Sequence, residues 1–318
     1  MRAAGITQPG GPVAIFALPA LRDLAPDEVR MAVVTAGVGN WDELVRTGSW
    51  NVGVQPPMAL GVEAAGVITE VGQGHHGFDV GDEILTHAVP LLEHGFWAEQ
   101  AIVNVAHLAR KPADVGWCHA AALPVPGLVA AQALDDSLQL GTGDSLVVNG
   151  AGGTTGGLVV QLAVARGIRV IATASSASAD RVRRFGAEVV LDYGDSSWPE
   201  RARQAVGGDG FVAGLNAARG GAAATLRAVA CGGQLATITG DPPPIERGIA
   251  IEDVYVLPDG QRLQELVELV AAGKLSLSVG ARYRLDDAKE ALALSVSGRA
   301  GGAMALTISE LTSRRRRA

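Results

Sequence analysis

One stretch constrains the chain more than any other: Val147-Val-Asn-Gly-Ala-Gly-Gly-Thr-Thr-Gly-Gly157, which follows a short apolar run and opens a helical segment, LVVQLAVARG. Glycines 150, 153 and 156 stand three residues apart. That spacing lets the backbone turn sharply and bring the amides of a helix N-terminus against a ligand without Cβ atoms in the way, which is what a dinucleotide's pyrophosphate needs. By itself the string is only a strand-to-helix turn. Its surroundings say more. Ser145–Asn149, Arg169–Ala174, Glu188–Leu191, Phe211–Leu215 and Gln234–Ile238 are strand-length apolar runs of the kind buried on both faces of a parallel sheet. Helical segments at Gly157–Arg166, Asp180–Phe185, Pro199–Val206 and Ala222–Ala230 alternate with them, the signature of βαβ units.

The text on either side differs. Residues 1 to 121 carry short β-type runs, such as Glu28–Thr35, Gly66–Val71 and Ala98–Val103, cut by Gly and Pro. After a helical stretch at 261–272, β-like text returns at Ser278–Leu285 and Ala303–Ile308. The expected organisation is a mostly-β domain in two pieces, 1–121 and 257–318, with a nucleotide-binding domain over 122–256 between them. With 318 residues the chain is long enough for two cores. Its 42 glycines suit many tight turns. The net charge of −7, of which the basic run Arg314–Arg317 offsets part, disfavours binding to a nucleic-acid backbone. Two cysteines, Cys118 and Cys231, cannot form a four-thiolate zinc cage, and they read as small core residues. With no long apolar span and no signal-like opening, the expectation is a cytoplasmic protein without membrane contact.

Charge at the end of the second run of the alternating region addresses which dinucleotide binds. An NAD site offers Asp or Glu to the ribose hydroxyls about 20 residues after the glycine turn. Here the sequence offers Thr173-Ala-Ser-Ser176, with Arg181 just beyond. Hydroxyls from Ser175 and Ser176 and the Arg181 guanidinium suit a 2′-phosphate, so NADPH is the expected cofactor. The plainer reading makes the serines helix caps and Arg181 to Arg184 a solvated face.

The sequence also resembles a known family, the medium-chain dehydrogenase/reductases, and within it the zinc-independent quinone oxidoreductase-like branch. The resemblance rests on motifs in order along nearly the whole chain: Gly37-Val-Gly-Asn-Trp-Asp42, Val45-Arg-Thr-Gly48, Leu60-Gly-Val-Glu-Ala-Ala-Gly-Val67, Val80-Gly-Asp82, Gly95-Phe-Trp-Ala-Glu99, Ala121-Ala-Leu-Pro124, the turn at Gly150–Gly156, Phe185-Gly-Ala187 and Gly232-Gly233. It implies an α/β architecture: a Rossmann doubly wound parallel sheet inserted in a GroES-like mostly-β substrate domain, with the cofactor at their junction. It further implies hydride transfer from a nicotinamide and a homodimer joined through the Rossmann sheet edge.

Departures from the family pattern are as informative. Zinc-dependent relatives carry Cys and His where this chain has Gly39 and Val62, and a four-cysteine loop near residues 85 to 110, where no Cys occurs. His75, His76, His87, His94, His107 and His119 are expected to be surface or packing residues, and no metal site is expected. Without zinc, an isolated carbonyl has no strong Lewis acid to hold its developing alkoxide. Zinc-less relatives often have Asn at the Gly39 position and tyrosines at the positions of Leu44 and Trp50; here Asn40 is displaced by one and neither replacement can donate a proton near neutral pH. A quinone or α,β-unsaturated carbonyl is then the expected substrate, since the enolate or hydroquinone anion formed by hydride addition takes its proton from solvent. Asn40, Asp42 and Trp50 are the candidate pocket residues, with Trp41 and Trp97 as further walls, while Asp42 and Glu63 suit structural hydrogen bonding. Cofactor contacts are expected from Gly150, Gly153, Thr154, Thr155, Gly156, Ser175, Ser176 and Arg181, from Tyr193 by its family position, and from Asn216, Thr239 and Gly240 at the sheet's carboxyl edge. Val129 stands where the family has a Thr near the nicotinamide. The alternatives are an NADPH-binding structural or regulatory protein, and a biosynthetic tailoring enzyme on the same scaffold.

Overall fold

The structure, a computed structural model, describes residues 1–74 and 77–309. His75, His76 and the Arg314–Arg317 run lie outside the described residues. Two units are present, one formed by residues 1–125, 258–274 and 278 onward, the other by Pro126–Leu257 with Leu275–Leu277. The outer unit therefore takes chain from both sides of the inserted one, and the first crossing falls at Val125, four residues later than the sequence boundary. Leu275–Leu277 belongs to the inserted unit, a return that composition does not mark.

The outer unit opens with β1 (Arg2–Ile6), β2 (Ala14–Ala17), β3 (Glu28–Val38), α1 (Trp41–Thr47) and β4 (Met58–Ala59). It continues through β5 (Glu63–Val71), β6 (Glu83–His87), β7 (Gln100–Asn104), β8 (Leu108–Arg110) and α2 (Trp117–Ala122) to α3 (Pro124–Gln132), which runs on into the second unit. β1 lies between β2 and β4 in a small antiparallel sheet. The larger sheet has the order β15-β16-β3-β5-β6-β8, with β7 also on β3, where β15 (Val279–Arg284) and β16 (Ala303–Thr307) come from the far end of the chain. β3 is 11 residues long and almost wholly buried, and shifts of register at Arg30/Met31 and Val33/Thr35 let it bend while serving several partners. α1 ends at Gly48, whose φ of 80° supplies the left-handed cap that a side chain would resist.

The inserted unit is a six-stranded parallel sheet. Its elements are β9 (Ser145–Asn149), α4 (Thr154–Ala165), β10 (Arg169–Ala174), α5 (Ser176–Arg184), β11 (Val189–Asp192), α6 (Trp198–Val206), β12 (Phe211–Asn216), α7 (Ala222–Ala228), β13 (Val229–Thr237) and β14 (Ala250–Asp253), in the order β11-β10-β9-β12-β13-β14. The order reverses at β9, which places the segments after β9 and β12 at the switch point where ligands of such sheets bind. Under α6, Val147, Ile171, Leu191, Trp198, Ala202, Phe211 and Ala228 pack into one apolar cluster. α8 (Gly260–Ala271) and α9 (Ala288–Ser297) belong to the outer unit. α8 starts on Asp259, whose carboxylate accepts from Arg262 N at 2.9 Å.

Two expectations change. The helix predicted over 222–230 ends at Ala228, and β13 begins at once on Val229, then breaks register so that Ala213 pairs with Gln234. Cys231 sits in that irregular stretch and is exposed, not a core residue; Cys118 is half-buried, and both are free. Among the described residues no helix is long and apolar enough to cross a membrane.

Candidate functional site

α4 begins at Thr154 with Gly153 as its N-cap, three residues earlier than the apolar run implies. The first amides of an α-helix have no intrahelical acceptor, so the N–H groups of Thr154, Thr155 and Gly156 point out of the helix end, where its dipole favours an anion. The glycines do different jobs. Gly150 has φ +88°, and its amide is held by Thr173 Oγ1 at 3.0 Å, so it shapes the turn. A Cβ on Gly156 would stand 2.4 Å from Gly150 O, so that glycine is required for packing. Gly153 is neither. It is exposed and extended (φ −79°, ψ 172°), and a Cβ there would meet only Gly150 O, at 3.5 Å. The fold leaves that space open above three outward amides, and the site fits a pyrophosphate.

Around the turn, Arg181 Nη2 donates to Gly152 O at 2.6 Å, bringing its guanidinium against the loop. Ser175 caps α5 by position, yet its hydroxyl makes no cap bond; it pairs with Ser178 Oγ at 3.0 Å. Ser178 is a residue that sequence reasoning missed: it is buried, and a Cβ on Gly152 would come within 2.4 Å of its Oγ. Ser176 is exposed at the start of α5. Tyr193, just past β11, is 59% exposed. Asp192 also escaped notice; it pairs in register with Ala174, and its Oδ1 accepts from Gly194 N. Thr239 and Gly240 follow β13 at the sheet's carboxyl edge. Asn216 requires a correction. It is fully buried, its Oδ1 accepts from Asn149 Nδ2 and its Nδ2 donates to Thr237 and Thr239, so the side chain is spent inside the protein.

In the outer unit, Asn40 is exposed at the start of α1, and Trp50 is half-buried with its ring 6.4 Å from that of His87. Leu44 is 44% exposed on the same helix, and its carbonyl accepts from Trp50 N at 3.0 Å. Two candidates are corrected. Trp97 is fully buried and donates to Gly37 O at 3.0 Å, which makes it core rather than a pocket wall. Asp42 is sealed from solvent and its Oδ2 accepts from the Gly39 amide at 2.8 Å while Oδ1 is left without a partner, so it braces the loop and cannot touch a substrate as placed. Burial pushes its carboxyl up to about 7, against the pull of the neighbouring Gly39 and Gly61 backbone N–H groups. Glu63 is raised well above the ordinary carboxylate range, by burial first, opposed by the Val125 amide it accepts at 2.8 Å and reinforced by Asp42. His87 is held down to about 4 by burial; its Nδ1 donates to Val62 O at 2.9 Å, which leaves Nε2 without a partner. Among the described residues no three His, Cys, Asp or Glu side chains gather as a metal cage.

Comparison with known proteins fits this arrangement. The family described as alcohol dehydrogenase GroES-like domain matches residues 25–113, and that described as zinc-binding dehydrogenase matches 185–306. A chloroplast envelope quinone oxidoreductase homolog of Arabidopsis thaliana is 30% identical over 266 residues, 77% of this chain and 78% of its own. Among solved structures, an NAD-dependent alcohol dehydrogenase superposes with a TM-score of 0.87 at 28% identity, over 97% of this chain and 100% of its own. A mycobacterial protein complexed with NADPH gives 0.85 at 26%, with the same two shares. The motif order, the parallel sheet set within a mostly-β unit and these relatives together make the chain a member of the medium-chain dehydrogenase/reductase superfamily, in its quinone oxidoreductase-like branch.

Proposed function

We propose that the protein is an NADPH-dependent reductase of quinones or α,β-unsaturated carbonyls that works without zinc. The carrying observation is Gly153, a glycine the fold does not require, set where a side chain would fill the space over the Thr154–Gly156 amides. When bound, the dinucleotide supplies a hydride. The chain's residues do the rest: the helix-end amides hold the diphosphate, and Ser175, Ser176 and Arg181 face its adenosine end. No carboxylate occurs from Thr173 to Ser176. Gly39 and Val62 offer no metal-ligating side-chain atom, and Leu44 and Trp50 offer no acid, so the reading favours acceptors whose reduced anion is already stabilised. Asn40 and the Trp50 indole supply polar and flat contacts for such a substrate.

NADPH oxidation across a panel of quinones, enones and simple aldehydes tests this. Turnover confined to the conjugated acceptors is expected. Tight NADPH binding without turnover on any of them would favour the non-redox alternative. Cofactor choice has its own check: Ser176→Asp should weaken NADPH by about tenfold and favour NADH, because a carboxylate repels the 2′-phosphate and suits a ribose diol. A variant that kept the preference for NADPH would show that the phosphate lies elsewhere.

The homodimer belongs to the same proposal. β14 ends the sheet, and Ile245, Tyr255 and Leu257 around it are 76%, 67% and 68% exposed. Gln132 bonds both backbone groups of Leu257, fixing its main chain while the side chain faces outward. Pairing of two such edges would bury this apolar surface. Light scattering should find a dimer that Leu257→Asp converts to monomer; an unchanged mass would rule out this edge. We place the protein in the cytoplasm, where its two free cysteines stay reduced.

A further inference from the structure

Residues far apart in sequence meet in a row at the carboxyl ends of four adjacent strands, because those strands lie in the order β10-β9-β12-β13. Thr173, Asn149, Asn216 and Thr237 are all buried. Thr173 Oγ1 donates to Asn149 Oδ1 at 2.6 Å and so turns a lone pair to the Gly150 amide, which it accepts at 3.0 Å. Asn149 Nδ2 donates to Asn216 Oδ1 at 3.1 Å. Asn216 Nδ2 donates to Thr239 Oγ1 at 2.9 Å and to Thr237 Oγ1 at 3.2 Å. The Thr239 hydroxyl in turn donates to the carboxylate of Asp241, whose other oxygen accepts from Gly220 N at 2.6 Å.

The chain has one direction. A carboxylate can only accept, so the Thr239 proton goes to Asp241 and its lone pair faces Asn216. That fixes the Asn216 amide, whose oxygen fixes the Asn149 amide, whose oxygen fixes the Thr173 hydroxyl. Reversing the Asn216 amide would set donor against donor, and reversing the Asn149 amide acceptor against acceptor, in a buried place where an unmade bond is costly. Packing restricts the surroundings too: a Cβ on Gly221 would come within 2.4 Å of Asn149 Nδ2 and 2.7 Å of Asn216 Oδ1.

We propose that this directed chain is a positioning device for the dinucleotide: anchored at Asp241, it holds the Gly150 turn in its anion-binding shape across three strand spacings, about 14 Å. Thr173 and Asn216 are its positioning residues, and neither needs to touch the ligand. The inference rests on the dinucleotide reading of the turn. It makes the segment after β13 and the turn after β9 parts of one network, so that a change at Asp241 is felt at Gly150.

The test uses the full chain, with NADPH as probe, calorimetry for Kd and steady-state kinetics on an active acceptor. Thr173→Val, which keeps the shape and drops the hydroxyl, should raise Kd and KM for NADPH about tenfold with kcat within about twofold. Thr173→Ser should recover to within about twofold of wild type, since it restores the hydroxyl. Asp241→Ala should shift Kd the same way, by about threefold, and Thr173→Val with Asp241→Ala should be no worse than Thr173→Val alone, because a chain can be cut only once. Wild-type affinity in Thr173→Val, or single effects that multiply in the double variant, would overturn the proposal and leave the dinucleotide reading intact. Failure of the unaltered protein to take up NADPH or NADH would overturn both. Should Thr173→Val not fold, Asp241→Ala decides, since that side chain lies on a half-buried loop.

Discussion

Gly153→Ser is expected to raise the stability of the protein slightly while weakening NADPH binding by about 100-fold, ~2.7 kcal/mol. The two effects have opposite signs for one reason. Gly153 is the N-cap of α4, its backbone is extended, and a Cβ would meet nothing closer than 3.5 Å. Serine is a better cap than glycine by a few tenths of a kcal/mol, because its hydroxyl accepts from the second or third amide of the helix. Those are the amides assigned to the pyrophosphate. The hydroxyl would satisfy the helix end and occupy the anion's place at once. Thermal unfolding and calorimetry on one preparation check the pair of outcomes, and a serine variant that bound NADPH as well as wild type would remove the pyrophosphate from this helix end. Gly156→Ala is the contrast: its Cβ would strike backbone at 2.4 Å, so it should lose both stability and binding.

The second large effect lies in the outer unit. Asp42→Asn should change how stability depends on pH, with the difference between wild type and variant moving by on the order of 4 kcal/mol between pH 4 and pH 7. The folded carboxyl titrates near 7 rather than at its ordinary 3.8, so the folded state holds the proton more tightly than the unfolded chain. Its contribution is complete below about pH 4 and is lost as pH rises toward 7. An asparagine cannot ionise, so the variant should gain on wild type over that range and end the more stable of the two at pH 8. His87 acts in the opposite sense: its folded value of about 4 lies below its ordinary 6.5, so it adds stability as pH rises between those values. Glu63 is raised in both proteins apart from its repulsion by Asp42. Subtracting two denaturant-derived stability curves isolates Asp42 from these neighbours. Parallel curves would mean that the carboxyl is solvated and charged in the folded state.

How much of this was readable in the sequence varies with how local the cause is. The first two strands of the inserted sheet, Ser145–Asn149 and Arg169–Ala174, keep the ends expected from their strand-length, mostly apolar runs, because a strand covered on both faces needs apolar residues at nearly every position. The start of α4 at Thr154 was hidden by residues that also suit a turn: two threonines and two glycines begin it. The Val229 start of β13 and the exposure of Cys231 depend on a break in register set by the neighbouring strand Phe211–Asn216. In the outer unit, the structural hydrogen-bonding role expected for Asp42 is met by the Gly39 amide three residues away, but its full burial, which takes it out of any pocket, depends on chain remote in sequence. Trp97 misled in the other direction, since a large aromatic in a candidate pocket region is also what a core requires. The glycine turn itself was legible at positions 150, 153 and 156. The bonds from Thr173 to Asp241 were not, because they exist only once four strands stand side by side.

The outer sheet's strand order carries a consequence for biosynthesis. β3 pairs antiparallel with β16, joining Val38 to Met304 and Thr35 to Thr307. A ribosome working from the amino end releases every strand of the parallel sheet before it has made the last staves of the sheet that begins the chain. Until then the Thr35–Val38 end of β3, beyond the part that β7 covers, presents an apolar, unmated flank, the kind of edge that recruits neighbouring polypeptides. Nascent chains arrested after residue 277 should therefore hold a protease-resistant inserted unit beside an amino-terminal region that remains adhesive and dependent on chaperones until residue 307 emerges.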